Sequence, residues 1–397
     1  MGPVKNTTNI SFKTIFNPAI MGIFLFFNTA NAQNSVKTVL PDVNSNDLSR
    51  WIGNELLPEK GQLTLKDIVI PGSHDAGMSV LTATGGSQKG TINKCNTLTQ
   101  SLSIEKQMKA GIRMFDLRPG VLKDTLYLKH SSSDCMEDAI GGGYGEKLLP
   151  VLAASKNFLQ QNPSEFLIFS FSHFCPKEIA VETLAKKVIA ALGKEHVFVA
   201  GNKKLEDITI NELSGKVLLA FESPKFSDPG IVINSMTERS DLMLNFKRAY
   251  AATNNLNKLI LTETVFFTGL KTQLNPNDLV RLDWQLTQSA KEAAMVCNAF
   301  ESDQPNPLFD GALLLTNVLS RHKSIISHAR SANKVLKKQI TKWLEDGTIN
   351  QQNKPNILYV DDAGEWVTQY CIELNKSSVY INNKRLTGNT VPLKKEP

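Results

Sequence analysis

Short apolar segments that stop abruptly on charged residues recur along this chain, and they constrain its fold more than any other feature. "LTLKDIVIPGSHD" places an apolar strand candidate, residues 68–70, before Pro71-Gly72 and then His74 and Asp75. "GIRMFDLRPG" repeats the plan: Met114 and Phe115 lead to Asp116 and Arg118, stopped by Pro119-Gly120. "TLYLKH" ends on His130, "EFLIFSFSHF" near His173, "GKVLLAFES" near Glu222, and "NILYVDDAG" reaches Asp361-Asp362. "LILTETVFF" and "LVRLDWQLT" share the apolar character and bring the strand candidates to eight. The run in "EFLIFSFSHF" is almost continuously apolar, as expected of a strand covered on both faces.

Helical patterns separate these segments. Residues 144–161 put Leu148, Leu152, Phe158 and Leu159 on one face, and Pro163 follows. Further helices are expected over 177–192, 288–300 and 317–345, through Trp366 and Tyr370, and briefly near Trp51. Strands alternating with helices predict an α/β fold: a TIM-like (β/α) barrel in a single domain with long rim loops. A doubly wound open sheet is the alternative. A barrel gathers the C-terminal ends of its strands on one face. His74, Asp75, Asp116, Arg118, His130, His173, Glu222 and Asp361 should therefore meet there. "TATGGSQKGTINKCNTLTQS" and "SSSDCMEDAIGGG" are expected as rim loops on that face.

The N-terminus reads as an export signal. Lys5 and Lys13 precede the apolar run "AIMGIFLFF" (19–27), and Ala30-Asn31-Ala32 supplies a small-x-small cleavage pattern. The run is far short of the ~20 residues that cross a bilayer. Residues 1–32 are therefore expected to be removed, and the protein to be secreted or periplasmic. Residues 33–60 are expected as a polar lead-in, 61–376 as the barrel and 377–397 as a polar tail. Loss of Lys5 and Lys13 lowers the net charge by two, from +6 to +4. With no Arg/Lys block, that balance argues against a nucleic-acid partner. Nothing in the sequence calls for more than a monomer. The five cysteines (Cys95, Cys135, Cys175, Cys297 and Cys371) are too sparse for a disulfide scaffold and form no CxxC zinc pattern. Their odd number leaves at least one unpaired, and the pairing stays open.

Two histidines at neighbouring strand ends, each near a carboxylate, suit paired acid/base work: one imidazole takes a proton while the other gives one. An arginine between them offers a permanent charge to an anion such as a phosphodiester. No GxSxG nucleophile is present, so the attacking oxygen would come from the substrate or from water.

In this order and spacing, "IPGSHDAG", "GIRMFDLRPG", "LYLKH" and "GEKLLPVLAASKNFLQQNPSEFLIFSFSHF" resemble the X-domain of phosphatidylinositol-specific phospholipases C, over about residues 63–175. "RLDWQLTQS" and "NILYVDDAG" fit the later part less closely. The resemblance implies a distorted barrel that cleaves phosphatidylinositol-type lipid at a membrane surface to diacylglycerol and a cyclic inositol phosphate. It assigns His74 as general base toward the inositol 2-hydroxyl and His130 as general acid toward the glycerol oxygen. Asp75 would hold His130 protonated. Arg118, fixed by Asp116, would stabilise the phosphorane, and Asp361 would orient His74, with Asp362 as the fallback. Calcium-dependent relatives place acidic ligands near Arg118. A guanidinium there implies an enzyme without a metal or other cofactor, Ca²⁺ being the alternative.

His173, Glu222 and Trp284 are the candidates for substrate contact, and the first two depart from the Lys and Arg of bacterial relatives. Buried core is the competing reading for His173 and Trp284. Phe266-Phe267 reads as the buried end of a strand rather than a membrane-inserting rim. Two alternatives to the phospholipase stay open. One is a phosphodiesterase for glycerophosphodiesters or another phospholipid on the same barrel; the other is a non-catalytic lipid-headgroup-binding barrel.

Overall fold

The computed structural model describes residues 47–85, 92–133, 135, 142–175, 181–200, 203–222, 232–235, 244–270, 274–295 and 323–380. The chain divides into two units, Met1–Asn46 and Asp47–Pro397, and all described residues belong to the second. The expected signal segment lies outside them.

Twelve strands occur among the described residues. They are β1 (Ile70–Ser73), β2 (Ala83–Gly85), β3 (Met114–Leu117), β4 (Pro119–Leu122), β5 (Thr125–Ser131) and β6 (Gly142–Lys147). The rest are β7 (Leu167–Phe171), β8 (Val217–Phe221), β9 (Val232–Ser235), β10 (Leu244–Arg248), β11 (Asp278–Trp284) and β12 (Ile357–Val360). Eight of them close into a parallel barrel in the order β1-β12-β11-β10-β9-β8-β7-β3, the TIM-like architecture expected. The other four form an antiparallel sheet, β2-β6-β5-β4.

Two expected barrel strands are something else. "TLYLKH" is β5 of the antiparallel sheet. "LILTETVFF" lies in the helix Leu256–Gly269, capped by Asn255, whose side chain accepts from Lys258 N–H. Phe266-Phe267 accordingly sits in a helix, with Phe267 buried. The strands that replace them, β9 and β10, were not anticipated. β1 also begins later than expected and runs through Pro71. The Pro71 carbonyl accepts from Arg113 N–H at 3.1 Å, and pairing with β3 starts only at Gly72. The missing N–H therefore costs no ladder bond.

Alternation along the strands sorts the core into two layers. Ile70, Met114, Ile168, Leu218, Leu244, Leu279 and Ile357 pack in the barrel interior, with Trp51, Ile52 and Leu56 joining the same cluster. Val69, Phe115, Phe169, Leu219, Val280 and Leu358 instead join the cluster that includes the surrounding helices. Residues 47–60 of the lead-in are thus integral to the domain. Trp51 Nε1 donates to Gly111 O at 2.8 Å, and Glu165 receives Gly53 N–H at 2.8 Å and Arg113 Nε at 2.9 Å. The start of the expected tail is integral as well: Tyr380 is buried and its hydroxyl donates to Pro355 O at 2.5 Å.

The helices follow their apolar periodicity. Leu148–Gln161 buries Leu148, Val151, Leu152, Ser155, Phe158 and Leu159. Val181–Leu192, Ala290–Met295, Ile325–Glu345 and Glu365–Asn375 fall where the sequence placed helices; Ser324 caps Ile325–Glu345 by accepting from Ser327 N–H. No helix of the described residues is long and apolar enough to cross a membrane. A disulfide joins Cys135 to Cys175, Cys95 is also disulfide-bonded, and Cys371 is a buried free thiol.

Candidate active site

Three interior rows of the barrel begin apolar and end polar toward the strand C-termini. β12 reads Ile357, Tyr359, then Asp361; β3 reads Met114, Asp116, then Arg118; β7 reads Ile168, Ser170, then Ser172. The polar ends line a cleft of about 720 Å³ that contains His74, Asp116, Arg118, His130, His173 and Asp361. The structure therefore brings together most of the residues that the strand-end argument selected.

His74 follows β1 directly. Its Nδ1 is 2.7 Å from Asp361 Oδ1, and its Nε2 is 3.0 Å from Arg118 Nη2. A carboxylate accepts and a guanidinium donates, so Nδ1 carries the hydrogen and Nε2 presents its lone pair. Arg118 is the hub. Its Nε lies 2.6 Å from Asp75 Oδ1 and 3.0 Å from Asp116 Oδ2. Asp116 Oδ2 also accepts from Tyr359 Oη at 2.6 Å and from Asp75 N–H at 3.2 Å. Both Asp75 oxygens are buried without an aligned hydrogen bond, and Oδ2 lies 3.5 Å from His74 Nε2 and 3.9 Å from His130 Nε2. Asp75 is therefore in ion-pair range of His130 rather than hydrogen-bonded to it. On the other side of that ring, Nδ1 lies 2.9 Å from Thr97 O. A carbonyl only accepts, so His130 carries a hydrogen on Nδ1 and turns Nε2 toward Asp75.

Adjacent strand residues point to opposite faces, yet His74 and Asp75 both reach Arg118. Asp75 does so from the left-handed region, at φ 42°. Asp361 and Asp362 separate cleanly. Asp361 meets His74, whereas Asp362, at φ 51°, turns to Ser101 Oγ (2.5 Å) and Arg330 Nε (2.7 Å).

The charges tune one another. Burial alone would push the His74 pKa down, but Asp75 and Asp361 outweigh it and hold it above its ordinary value. Burial would raise Asp116; Arg118, His74 and the Tyr359 hydroxyl together hold it well below the usual carboxylate range. Arg118 is held above its ordinary value despite its burial, because Asp116 and Asp75 favour its charged form. Among the described residues, His74, Asp75 and Asp116 are the one group of side chains close enough to share a metal ion. That group does not fit a cation, because the Arg118 guanidinium already lies against both carboxylates.

Two expected substrate contacts lie elsewhere. Trp284 is 0% exposed, packs edge-to-face on Trp343 with ring centroids 6.2 Å apart, and does not line the cleft. Even so, its strand, β11, does supply the cleft. Glu222 follows β8, its N–H bonded to Phe171 O at 2.9 Å, and is also absent from the cleft lining. His173 lines the cleft at φ 51°, with Nδ1 2.8 Å from Ser172 Oγ.

The far wall was missed by sequence reasoning. Arg281 bonds Asp283 through Nε (2.5 Å) and Nη2 (2.9 Å), and Arg248 Nη1 reaches the same carboxylate at 3.2 Å. Arg281 also stacks over the Tyr359 ring at 3.9 Å, and Tyr250 lines the rim. A signal was available: in "LVRLDWQ", Arg281, Asp283 and Gln285 alternate with apolar residues, the period of a strand with one polar face.

The fold and cleft define a TIM-like α/β barrel with a histidine–arginine–carboxylate site at the C-terminal ends of its strands. No family model matches the chain. A PI-PLC X-box domain-containing protein of Dictyostelium discoideum is 25% identical over 178 residues, which is 43% of this chain and 22% of that protein. The PI-PLC X domain-containing protein 2 of Homo sapiens is 27% identical over 194 residues, 44% of this chain and 60% of that protein. The chain thus spans about a fifth and three fifths of the lengths of these two relatives. Among solved structures, phosphatidylinositol-specific phospholipase C of Staphylococcus aureus superposes with a TM-score of 0.54 at 18% identity, covering 82% of this chain and 97% of that one. The Listeria monocytogenes enzyme gives 0.55 at 16% identity, over 84% and 100%. The chain is related by sequence to the PI-PLC X-domain proteins and shares the barrel of the bacterial enzymes.

Proposed function

We propose that the protein is a phosphatidylinositol-type phospholipase C that forms a cyclic inositol phosphate and diacylglycerol. The observation that carries this reading is the single cluster in which His74 meets Asp361 at 2.7 Å and Arg118 at 3.0 Å, with Asp75 between His74 and His130. His74 Nε2 takes the proton of the inositol hydroxyl next to the phosphodiester. That oxygen attacks phosphorus within the same molecule, an entropically favourable step. His130 Nε2 protonates the departing glycerol oxygen. Arg118, fixed by Asp75 and Asp116, neutralises charge building on a non-bridging oxygen.

The reaction uses no metal: Arg118 supplies the positive charge that a cation would. The protein works outside the reducing cytosol, a reading supported by the disulfides at Cys95 and Cys135–Cys175. Its substrate is presented at a phospholipid surface. The test is a panel of phospholipid vesicles with product identification, run with and without chelator. Release of diacylglycerol from phosphatidylinositol is expected. Turnover confined to glycerophosphodiesters, or headgroup binding without turnover, would replace this reading with one of its alternatives.

A further inference from the structure

His74 and Asp361 each lie one residue beyond the last paired residues of their strands, Ser73 and Val360. Past that point only the His74 N–H to Val360 O bond, at 3.1 Å, continues the ladder. The sheet itself thus holds the base and the orienting acid by a single backbone bond past its last paired residues.

Residues 97–100 occupy that place. This stretch, part of an expected rim loop, borders the cleft at Asn96 and Thr99 and is buried: Thr97, Thr99 and Gln100 are each 1% exposed. Gln100 Nε2 donates to His74 O at 2.7 Å and to Val360 O at 3.3 Å, and its Oε1 accepts from Ala363 N–H at 2.9 Å. Both hydrogens and the carbonyl of the carboxamide are thus engaged, one strand end on each side. Thr99 reinforces the tie: its Oγ1 donates to Asp75 O at 3.0 Å and its carbonyl accepts from Asp362 N–H at 2.8 Å. The segment is anchored at its start, where Cys95 is disulfide-bonded and Asn96 Nδ2 donates to Ala293 O at 2.7 Å. Gln100 itself does not line the cleft.

We propose that Gln100 is a positioning residue whose buried carboxamide clamps the ends of β1 and β12 and so holds His74 against Asp361. It touches no substrate and acts only through the His74–Asp361 pair. A misplacement of about 1 Å at such a pair costs on the order of 10²-fold in rate. The kinetic part of the proposal rests on the reaction proposed above; the geometric part does not.

The test uses the full chain and the volume-preserving variant Gln100→Met. The far-downfield proton resonance of the His74–Asp361 hydrogen bond, assigned by its loss in Asp361→Asn, reports the geometry without any substrate. In Gln100→Met that resonance should shift upfield or broaden away. kcat on phosphatidylinositol vesicles should fall about 10- to 100-fold with KM unchanged. Gln100→Asn, too short to bridge the strands, should act in the same direction and decides the matter if the Met variant does not fold. A folded variant with the resonance unchanged overturns the proposal, whatever its rate. If the wild-type protein cleaves no phosphatidylinositol, the proposed function fails while the resonance still decides the role of Gln100.

Discussion

The two walls of the cleft are built from the same kinds of charged residue but differ in how those charges are engaged. On the near wall, formed from the ends of β1, β3, β5 and β12, His74 and His130 each have Nδ1 fixed by a partner, with Nε2 turned toward Arg118 or Asp75. On the far wall, formed from β10 and β11, Arg281 and Arg248 converge on one buried carboxylate, Asp283. In the proposed reaction the near wall moves protons and meets developing charge. The far wall is a locked ion network that shapes the space a headgroup would enter. Similar residues are therefore engaged differently: histidines held by single partners on one wall, two arginines on a shared carboxylate on the other.

Breaking the near wall should have the largest effect. His74→Ala and His130→Ala should each lower kcat/KM on phosphatidylinositol by at least about 10³-fold while leaving the thermal transition near that of the wild type. Full activity in either variant would remove the assigned roles. Asp361→Asn should cost about 10²- to 10⁴-fold, because Nδ1 of His74 loses its charged partner. It should also move the pH profile. An imidazole must be neutral to accept a proton; burial would lower the His74 pKa, but Asp75 and Asp361 hold it above the ordinary 6.5. Wild-type activity should therefore fall as pH drops through that raised value, and in Asp361→Asn the acidic limb of kcat/KM should move to lower pH. An unmoved limb would show that Asp361 does not set the basicity of His74.

The far wall should respond in stability and binding rather than in chemistry. Asp283→Asn removes the buried carboxylate that Arg281 and Arg248 share. Removing one partner of a buried pair typically costs about 3–5 kcal/mol. Denaturant unfolding should show a loss of that order, with KM raised more than kcat is lowered. A variant as stable as the wild type would mean that the network is not structural. The smallest expected effect is that of chelation: EDTA should leave activity unchanged, and loss restored by Ca²⁺ would show that Arg118 does not replace a cation.

The same contrast explains what could be read from the sequence. The near wall is written locally. "PGSHD", "FDLRPG" and "LYLKH" carry their functional residues within a residue or two of an apolar segment, so the strand ends could be picked out one at a time. The pairing of His74 with Asp361 rather than Asp362 needed the backbone, since Asp362 turns away through a left-handed residue. Barrel closure was legible from the alternation of elements, but the strands were not all identified. "LNKLILTETVFFTG" is apolar enough to imitate a strand, and only its Asn255 cap and its length mark it as a helix. "LNFKR" has just two apolar residues to announce β10. Two mistaken strands and two missed ones left the count at eight. The far wall was overlooked because its charges lie inside strands, where the alternation of Arg281, Asp283 and Gln285 is easily taken for a mere interruption of an apolar run. The clamp at Gln100 was hidden because a buried glutamine in a polar loop has no signature of its own.

In the proposed reaction the attacking oxygen belongs to the substrate and His74 removes its proton. The direct measurement is ³¹P NMR of phosphatidylinositol cleavage by the wild-type protein in ¹⁸O-labelled water, followed from the earliest turnovers. A cyclic inositol phosphate free of label is the expected first product, with label entering only if the ring is opened later. A first-formed acyclic phosphate carrying ¹⁸O would contradict it, because water rather than the inositol hydroxyl would then be the nucleophile.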